Sequence, residues 1–201
     1  MKIKPVFPKV NNVKAHLKLS SGSNKKTLLD ELKELNSIRH NNYFIVREEK
    51  DKIVYSIFPR SGFVNITGVK NFDEIEKAVA IFNKKFKQNI SVADLTTDNS
   101  TASGRIADTD SSRDIQINLE HIKFIIDTEP DFGKLKASLS PANFPGIVIR
   151  SKNCPTCLIF TSGRFIIVGA KRKQDISTAY AQLCVIIEKY TKMFQMDMFI
   201  A

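Results

Sequence analysis

Ser162-Gly163-Arg164-Phe165-Ile166-Ile167-Val168-Gly169-Ala170-Lys171 restates a phrase found earlier in the chain as Ser61-Gly62-Phe63-Val64-Asn65-Ile66-Thr67-Gly68-Val69-Lys70. Serine, both glycines, one isoleucine and the lysine fall at the same places in the two copies. An Ile-Phe pair precedes each, at Ile57-Phe58 and Ile159-Phe160. Glycines that bracket alternating, β-prone residues read as a tight turn, a strand, and a release of the chain into the next element. That next element is helical both times. Ile75, Ala78, Val79, Phe82 and Phe86 recur at helical spacing after the first copy, and Ile176, Ala179, Tyr180, Leu183 and Ile187 after the second. Two copies at a long period describe a duplicated, pseudo-symmetric domain, because solenoid repeats are shorter and more numerous.

Outward from the phrase, the first half opens with a strand from Val10 to Leu19, with Val13, Ala15, Leu17 and Leu19 on one face and Asn12, Lys14, His16 and Lys18 on the other. Gly22 and Ser23 break it, Ser23 or Asn24 caps a helix striped by Leu28, Leu29, Leu32 and Leu35, and strands follow near 43–49, 52–58 and 62–67. A helix from about Phe72 to Gln88 completes the unit. The second half begins with a strand near 99–107, or nearer Ile115, then a helix over Leu119–Ile126 capped by Asn118. Strands at 145–151, 155–160 and 164–168 lead to a helix over Gln174–Met193, while Asp108–Asp114 and Thr128–Asn143 read as loops. The repeats are placed at 9–91 and 92–195, with 196–201 as a tail.

The chain has 201 residues, 42% of them hydrophobic, enough for one sizeable core or two small ones sharing a sheet. No stretch approaches the roughly 20 apolar residues that span a bilayer, the N-terminus lacks the apolar run of a secretory signal, and three cysteines make no even disulfide framework. An intracellular protein with no membrane partner is the expectation. The net charge of +10 is unevenly placed: residues 1–91 hold 18 Lys+Arg against 9 Asp+Glu, and residues 92–201 hold 13 against 12. A polyanion, nucleic acid before membrane, is the partner such a balance favours, although lysines such as Lys84, Lys85 and Lys87 also serve solubility and the helix dipole.

Side-chain alternation sharpens this. Val64 and Ile66, and Phe165 and Ile167, point towards the helices. The opposite face gathers Phe63, Asn65 and Thr67, with Arg164, Ile166 and Val168, and by parity Phe58 and Phe160. An open sheet face carrying aromatics, aliphatics and amides between basic edges calls for a partner or a second protein layer.

These residues carry a family resemblance. The run Asn143-Phe144-Pro145-Gly146-Ile147-Val148-Ile149-Arg150, then Leu158-Ile159-Phe160-Thr161-Ser162-Gly163-Arg164, then Val168-Gly169-Ala170-Lys171, resembles the second repeat of the TATA-box-binding protein family, roughly F-P-G-L-I-Y-R, L-I-F-x-S-G-K and T-G-A-K. The match is close over 143–190. The first repeat is more diverged, yet the ordered set covers the chain from about residue 9 onward.

The resemblance implies an α+β saddle, in which two pseudo-symmetric repeats form a curved antiparallel β-sheet with helices on the convex face and DNA beneath the concave one. Members of the family insert paired phenylalanines between base steps in the minor groove, where unstacking is offset by the larger surface that a bent duplex touches. Carried over, Phe144 and Phe160 form the second repeat's wedge, with Pro145 and Leu158 beside them. Phe58 is half of the first repeat's wedge, and its partner position falls on Asn41, so Tyr43 or Phe44 has to substitute. Asn12 and Thr67, with Asn99 and Val168, occupy the positions that face A·T acceptors at the pseudo-dyad. Valine keeps the shape there and loses the hydroxyl, which predicts weaker discrimination at one central position. Arg47 and Arg150 match phosphate-binding arginines and Arg164 a phosphate-binding lysine. Phe63 replaces that cation in the first repeat, where Arg60 or Lys14 is the expected substitute. Asn65 and Ile166 complete the face.

Plainer readings stand beside these. Phe58, Phe144 and Phe160 also suit a core, Asn12 also suits a turn, and Lys70 and Lys171 suit helix starts better than base reading. Cys154-Pro155-Thr156-Cys157 has redox or half-zinc spacing without a second pair, and His16, His40 and His121 are scattered. No nucleophile with its base, phosphate-cradling loop or paired acid site is present in the sequence, so neither enzyme activity nor a cofactor is expected. The resemblance therefore implies an initiation factor that binds and bends A·T-rich promoter DNA. It acts with a transcription-factor-B-like protein and RNA polymerase machinery, in a nucleus or, for a viral source, a cytoplasmic virus factory. A homodimer off DNA stays open, as does an alternative in which the fold is kept as a protein-interaction module.

Overall fold

The computed structural model describes residues 3–19, 25–35, 37–109 and 115–200. Its contacts divide the chain into an N-terminal unit, Val10–Ser100, and a C-terminal unit of Thr101–Ala201 joined by Met1–Lys9. Each unit is an antiparallel sheet with helices packed on one face.

In the N-terminal unit the order is β2 (Lys9–Lys18, following β1 at Ile3–Pro5), α1 (Lys25–Glu34), β3 (Ile38–Arg39), β4 (Phe44–Glu48), β5 (Ile53–Phe58), β6 (Phe63–Val69) and α2 (Glu74–Phe86). The sheet runs β3-β4-β5-β6-β2. Alternation holds throughout. Val13, Ala15, Leu17, Val46, Tyr55, Ile57, Val64 and Ile66 are buried on the helix side, against Leu28 and Leu32 of α1 and Ile75, Ala78, Phe82 and Phe86 of α2. Burying such a set supplies the main favourable term, roughly 1.5–3 kcal/mol per large apolar side chain. Tyr55 is wholly buried, which its hydroxyl permits by donating to the Ala78 carbonyl oxygen of α2 at 2.8 Å. Gly68 has φ +84° where Thr67 and Gly68 of β6 face Lys14 alone of β2, a bulge one residue before the strand's end.

The C-terminal unit comprises β7 (Leu95–Asp108, of which Leu95–Ser100 belongs to the other unit), α3 (Leu119–Thr128), β8 (Leu135–Leu139), β9 (Gly146–Ser151), β10 (Cys154–Phe160), β11 (Arg164–Ala170) and α4 (Lys173–Ile200). The order is β7-β11-β10-β9-β8, with β1 paired to β7. Ile147, Ile149, Ile159, Phe165 and Ile167 are buried on the helix side, as are Ile122 and Ile125 of α3 and Ile176, Ala179, Leu183 and Ile187 of α4.

The lysines closing the two phrases start helices. The Lys70 backbone N–H donates to Glu74 at 3.0 Å and the Lys171 N–H to Asp175 at 2.9 Å, each a carboxylate in the first turn that follows. Asn118 caps α3 by accepting from the His121 N–H at 3.2 Å.

Several elements differ from the reading of the sequence. Residues 128–143 hold a 3₁₀ turn at Pro130–Phe132 and strand β8, which is paired to β9 from Leu135↔Ser151 to Leu139↔Ile147. Leu135, Ala137 and Leu139 alternate with Lys136 and Ser138, a short period-two pattern that the loop reading passed over. The strand expected near 99–107 starts earlier, as the 14-residue β7 over Leu95–Asp108, where polar Thr96–Asp98 is held by pairing. Residues 3–5, ahead of the expected repeats, add β1 to the C-terminal unit, where the Tyr180 hydroxyl donates to the Pro5 carbonyl oxygen at 2.9 Å. The segment 196–200, expected as tail, continues α4. The proposed break and cap at Gly22, Ser23 and Asn24, and the loop residues 110–114, lie outside the described residues. Among the described residues no helix is long and apolar enough to cross a membrane.

Candidate nucleic-acid interface

The sheet face turned away from α1 and α2 is made of three cross-strand rows. Lys18, Phe63 and Phe58 form the outer one. Phe63 is 38% exposed, and the Lys18 ammonium lies 5.7 Å from its ring centroid. That lysine, rather than Arg60 or Lys14, stands beside the phenylalanine that replaced the second repeat's cation. Lys14 instead lies 3.9 Å from Asp98 of β7. His16, Asn65, Ser56 and Ile45 form the middle row, and Thr67, Val54 and Arg47 the inner one. Asn12 and Lys14 are exposed on β2, Arg47 is exposed on β4, and Asn99 is exposed on β7.

At the outer end, Tyr43 stacks on Phe58 with centroids 5.0 Å apart and ring planes at 27°, and His40 stacks on Tyr43 at 4.7 Å and 10°. The turn is closed by the His40 N–H donating to the Tyr43 carbonyl oxygen at 2.8 Å. Phe44 takes the other side: it pairs with buried Ile57 and packs on the core. Of the two candidates for the missing ring, Tyr43 is therefore the one beside Phe58.

The C-terminal unit repeats this plan with different chemistry. Phe144 and Phe160 are half-buried with centroids 5.6 Å apart and planes at 56°. Gly146 explains how they meet. A Cβ there would fall 2.8 Å from the Ile159 carbonyl oxygen, 3.0 Å from the Phe144 ring and 3.1 Å from the Phe160 ring. Phe160 pairs with Gly146 across β9 and β10, and continuing the Phe44↔Ile57 register puts Tyr43 opposite Phe58. One unit thus leaves the cross-strand place empty and fills it with the ring from two residues earlier. The other puts a ring at that place directly. Pro145 is exposed beside the pair, and Arg164 is exposed at the start of β11.

The C-terminal middle row is Ile166, Leu158, Val148 and Ser138, apolar except at its edge. The inner row holds Val168 opposite Thr156, where the N-terminal unit has Thr67 opposite Val54. The hydroxyl absent from Val168 is thus present one strand away, a residue that reading the phrases alone does not reveal. Arg150 is exposed and pairs with Lys136 of β8.

His16, on the open face but not among the expected site residues, has its Nδ1 2.6 Å from Asp98 Oδ1 and its ring 5.6 Å from that of Phe63. Cys157 is buried, and burial, reinforced by Cys154, pushes its thiol up to about 12, far from a reactive thiolate. Among the described residues no three His, Cys, Asp or Glu side chains gather as a metal site.

The family model described as "Transcription factor TFIID (or TATA-binding protein, TBP)" matches residues 110–190. The TATA-box-binding protein of Picrophilus torridus is 31% identical over 140 residues, 67% of this chain and 68% of that protein. The one from Sulfolobus acidocaldarius is 29% identical over 144 residues, 69% of this chain and 65% of that protein. The solved structure of Methanococcus jannaschii TBP covers 94% of this chain and 99% of its own, with a TM-score of 0.65 and 24% identity, a likeness of fold.

Proposed function

Because the chain belongs to the TATA-box-binding protein family, we propose that it is a transcription initiation factor that lays its two open sheet faces in the minor groove of A·T-rich promoter DNA and bends it. The observation that carries this is the recurrence of a ring pair at the same hairpin position in both units, Phe144 with Phe160 and Tyr43 with Phe58. Rings held half out of a sheet and backed by a packed core suit insertion between base steps, since the protein does not rearrange to present them. Around them Lys18, Arg47, Arg150 and Arg164 supply cations for flanking phosphates, and Asn12, Thr67, Asn99 and Thr156 supply donors to the A·T acceptors of the groove. No catalytic step is part of this reading. The partners it implies are a transcription-factor-B-like protein and RNA polymerase machinery.

The test is binding to A·T-rich and G·C-rich duplexes across a salt series, with bending read by fluorescence transfer between labelled duplex ends. A·T-selective binding that weakens steeply with salt, together with a bend, is expected. The double variant Phe144→Ala, Phe160→Ala should keep its circular dichroism spectrum and lose most of the bend. Absence of binding at low salt would falsify the proposal in favour of a protein-interaction module, and an unchanged bend in the double variant would refute the wedge assignment.

A further inference from the structure

The middle rows of the two faces differ in what they offer a base edge. Leu158 and Ile166 present only hydrocarbon, while the same places in the N-terminal unit hold Ser56 and Asn65, followed on β2 by His16. Among the described residues, the Ser56 hydroxyl and the Asn65 amide have no side-chain hydrogen bond, and both residues are half-buried on the open face. They are polar groups waiting in a partly desolvated place. His16 stands beside them with its Nδ1 2.6 Å from Asp98 Oδ1, and since a carboxylate only accepts, Nδ1 donates that hydrogen bond.

In the minor groove A·T and T·A pairs show only acceptors, and a G·C pair adds one donor, the guanine 2-amino group. Pressed against Leu158 and Ile166, that amino group loses its water and gains nothing, so the C-terminal face rejects it. Opposite Ser56 and Asn65 the same amino group meets acceptors, the hydroxyl and amide oxygens. An asparagine amide also donates, so an A·T pair at this place keeps a partner as well.

Resting on the minor-groove reading proposed above, we infer that the two units have unequal base specificity. The C-terminal unit reads A·T only, and the N-terminal unit accepts a G·C pair by taking the guanine 2-amino hydrogen bond on Asn65 with Ser56 and His16 beside it. The preferred site is then half strict and half permissive, a property of the residues and not of the shared fold.

The test scans an A·T-rich duplex with single G·C pairs and, at the same places, inosine·cytosine pairs, which lack only the 2-amino group. In one half of the site, G·C should bind about tenfold more weakly than inosine·cytosine; in the other half it should bind equally or more tightly. The double variant Ser56→Leu, Asn65→Val should make both halves strict, and the reciprocal Leu158→Ser, Ile166→Asn should make the strict half permissive, each checked for fold by circular dichroism. The wild-type scan alone is decisive if a variant misfolds. An equal 2-amino penalty in both halves, with A·T binding intact, overturns this inference and leaves the proposed function standing. Failure to bind any duplex overturns both.

Discussion

Gly68 and Gly169 occupy the same place in the repeated phrase and have nearly the same backbone, φ +84° and +91°, yet replacing each by alanine should cost different amounts. Both substitutions force an L-residue into a left-handed region, roughly 1–2 kcal/mol. At Gly169 that is the whole cost, because a Cβ would meet nothing within 4 Å. At Gly68 the Cβ would fall 2.2 Å from the Lys52 carbonyl oxygen and 3.2 Å from its carbon, both backbone atoms in the β4–β5 turn, so the turn must move by about an ångström. Overpacking of this kind costs roughly 1–3 kcal/mol more. Gly169→Ala should therefore lose about 1–2 kcal/mol and Gly68→Ala about 2–5, read by urea unfolding followed by circular dichroism and by amide exchange of β5 and β6. In melting temperature the scale is about 2–4 °C per kcal/mol for a chain of this size. Equal losses for the two variants, within about 0.5 kcal/mol, would show that the turn yields freely and that the crowding argument is wrong.

Tyr43→Ala should reduce DNA bending while Tyr43→Phe preserves it. Phe44→Ala should lower stability instead, because that ring packs on the core; bending assays beside thermal melts separate the two. Lys52 and Asn153 sit at equivalent hairpin turns with φ 58° and 61°, and asparagine tolerates that region better than lysine, so Lys52→Asn should stabilise by about 0.5–1 kcal/mol in urea titrations. For Asp175, burial opposes ionisation, but hydrogen bonds from the Lys171 and Arg172 N–H groups and the Arg172 guanidinium outweigh it and hold the carboxyl below its ordinary value of 3.8. A depressed carboxyl stabilises above the unfolded value and loses that contribution as pH falls through the folded one. Asp175→Asn should accordingly be less stable than wild type at pH 7, with the gap closing below about pH 4. A gap that persists at pH 2 would refute the assignment.

What the sequence determined alone was everything carried by local pattern. Duplication, the alternation that separates Val64 and Ile66 from Phe63, Asn65 and Thr67, and the helices striped by Ile75, Ala78, Phe82 and by Ile176, Ala179, Leu183 are all written in spacing of two or of three and four. Burial follows spacing because one face of each element must leave water. Tertiary structure decided what depends on which strand lies beside which. The polar start of β7 is a strand only because neighbours pair with it. Tyr43 meets Phe58 through a register between β4 and β5, and Lys18 of β2 reaches Phe63 of the neighbouring β6. Thr156 restores a hydroxyl opposite Val168, and Asp98 finds His16 from 82 positions away. Such relations cross the chain at distances no local pattern encodes. The repeated phrase already announced two unequal halves, in Phe63 against Arg164 and Thr67 against Val168, and the cross-strand neighbours decided how their open faces differ.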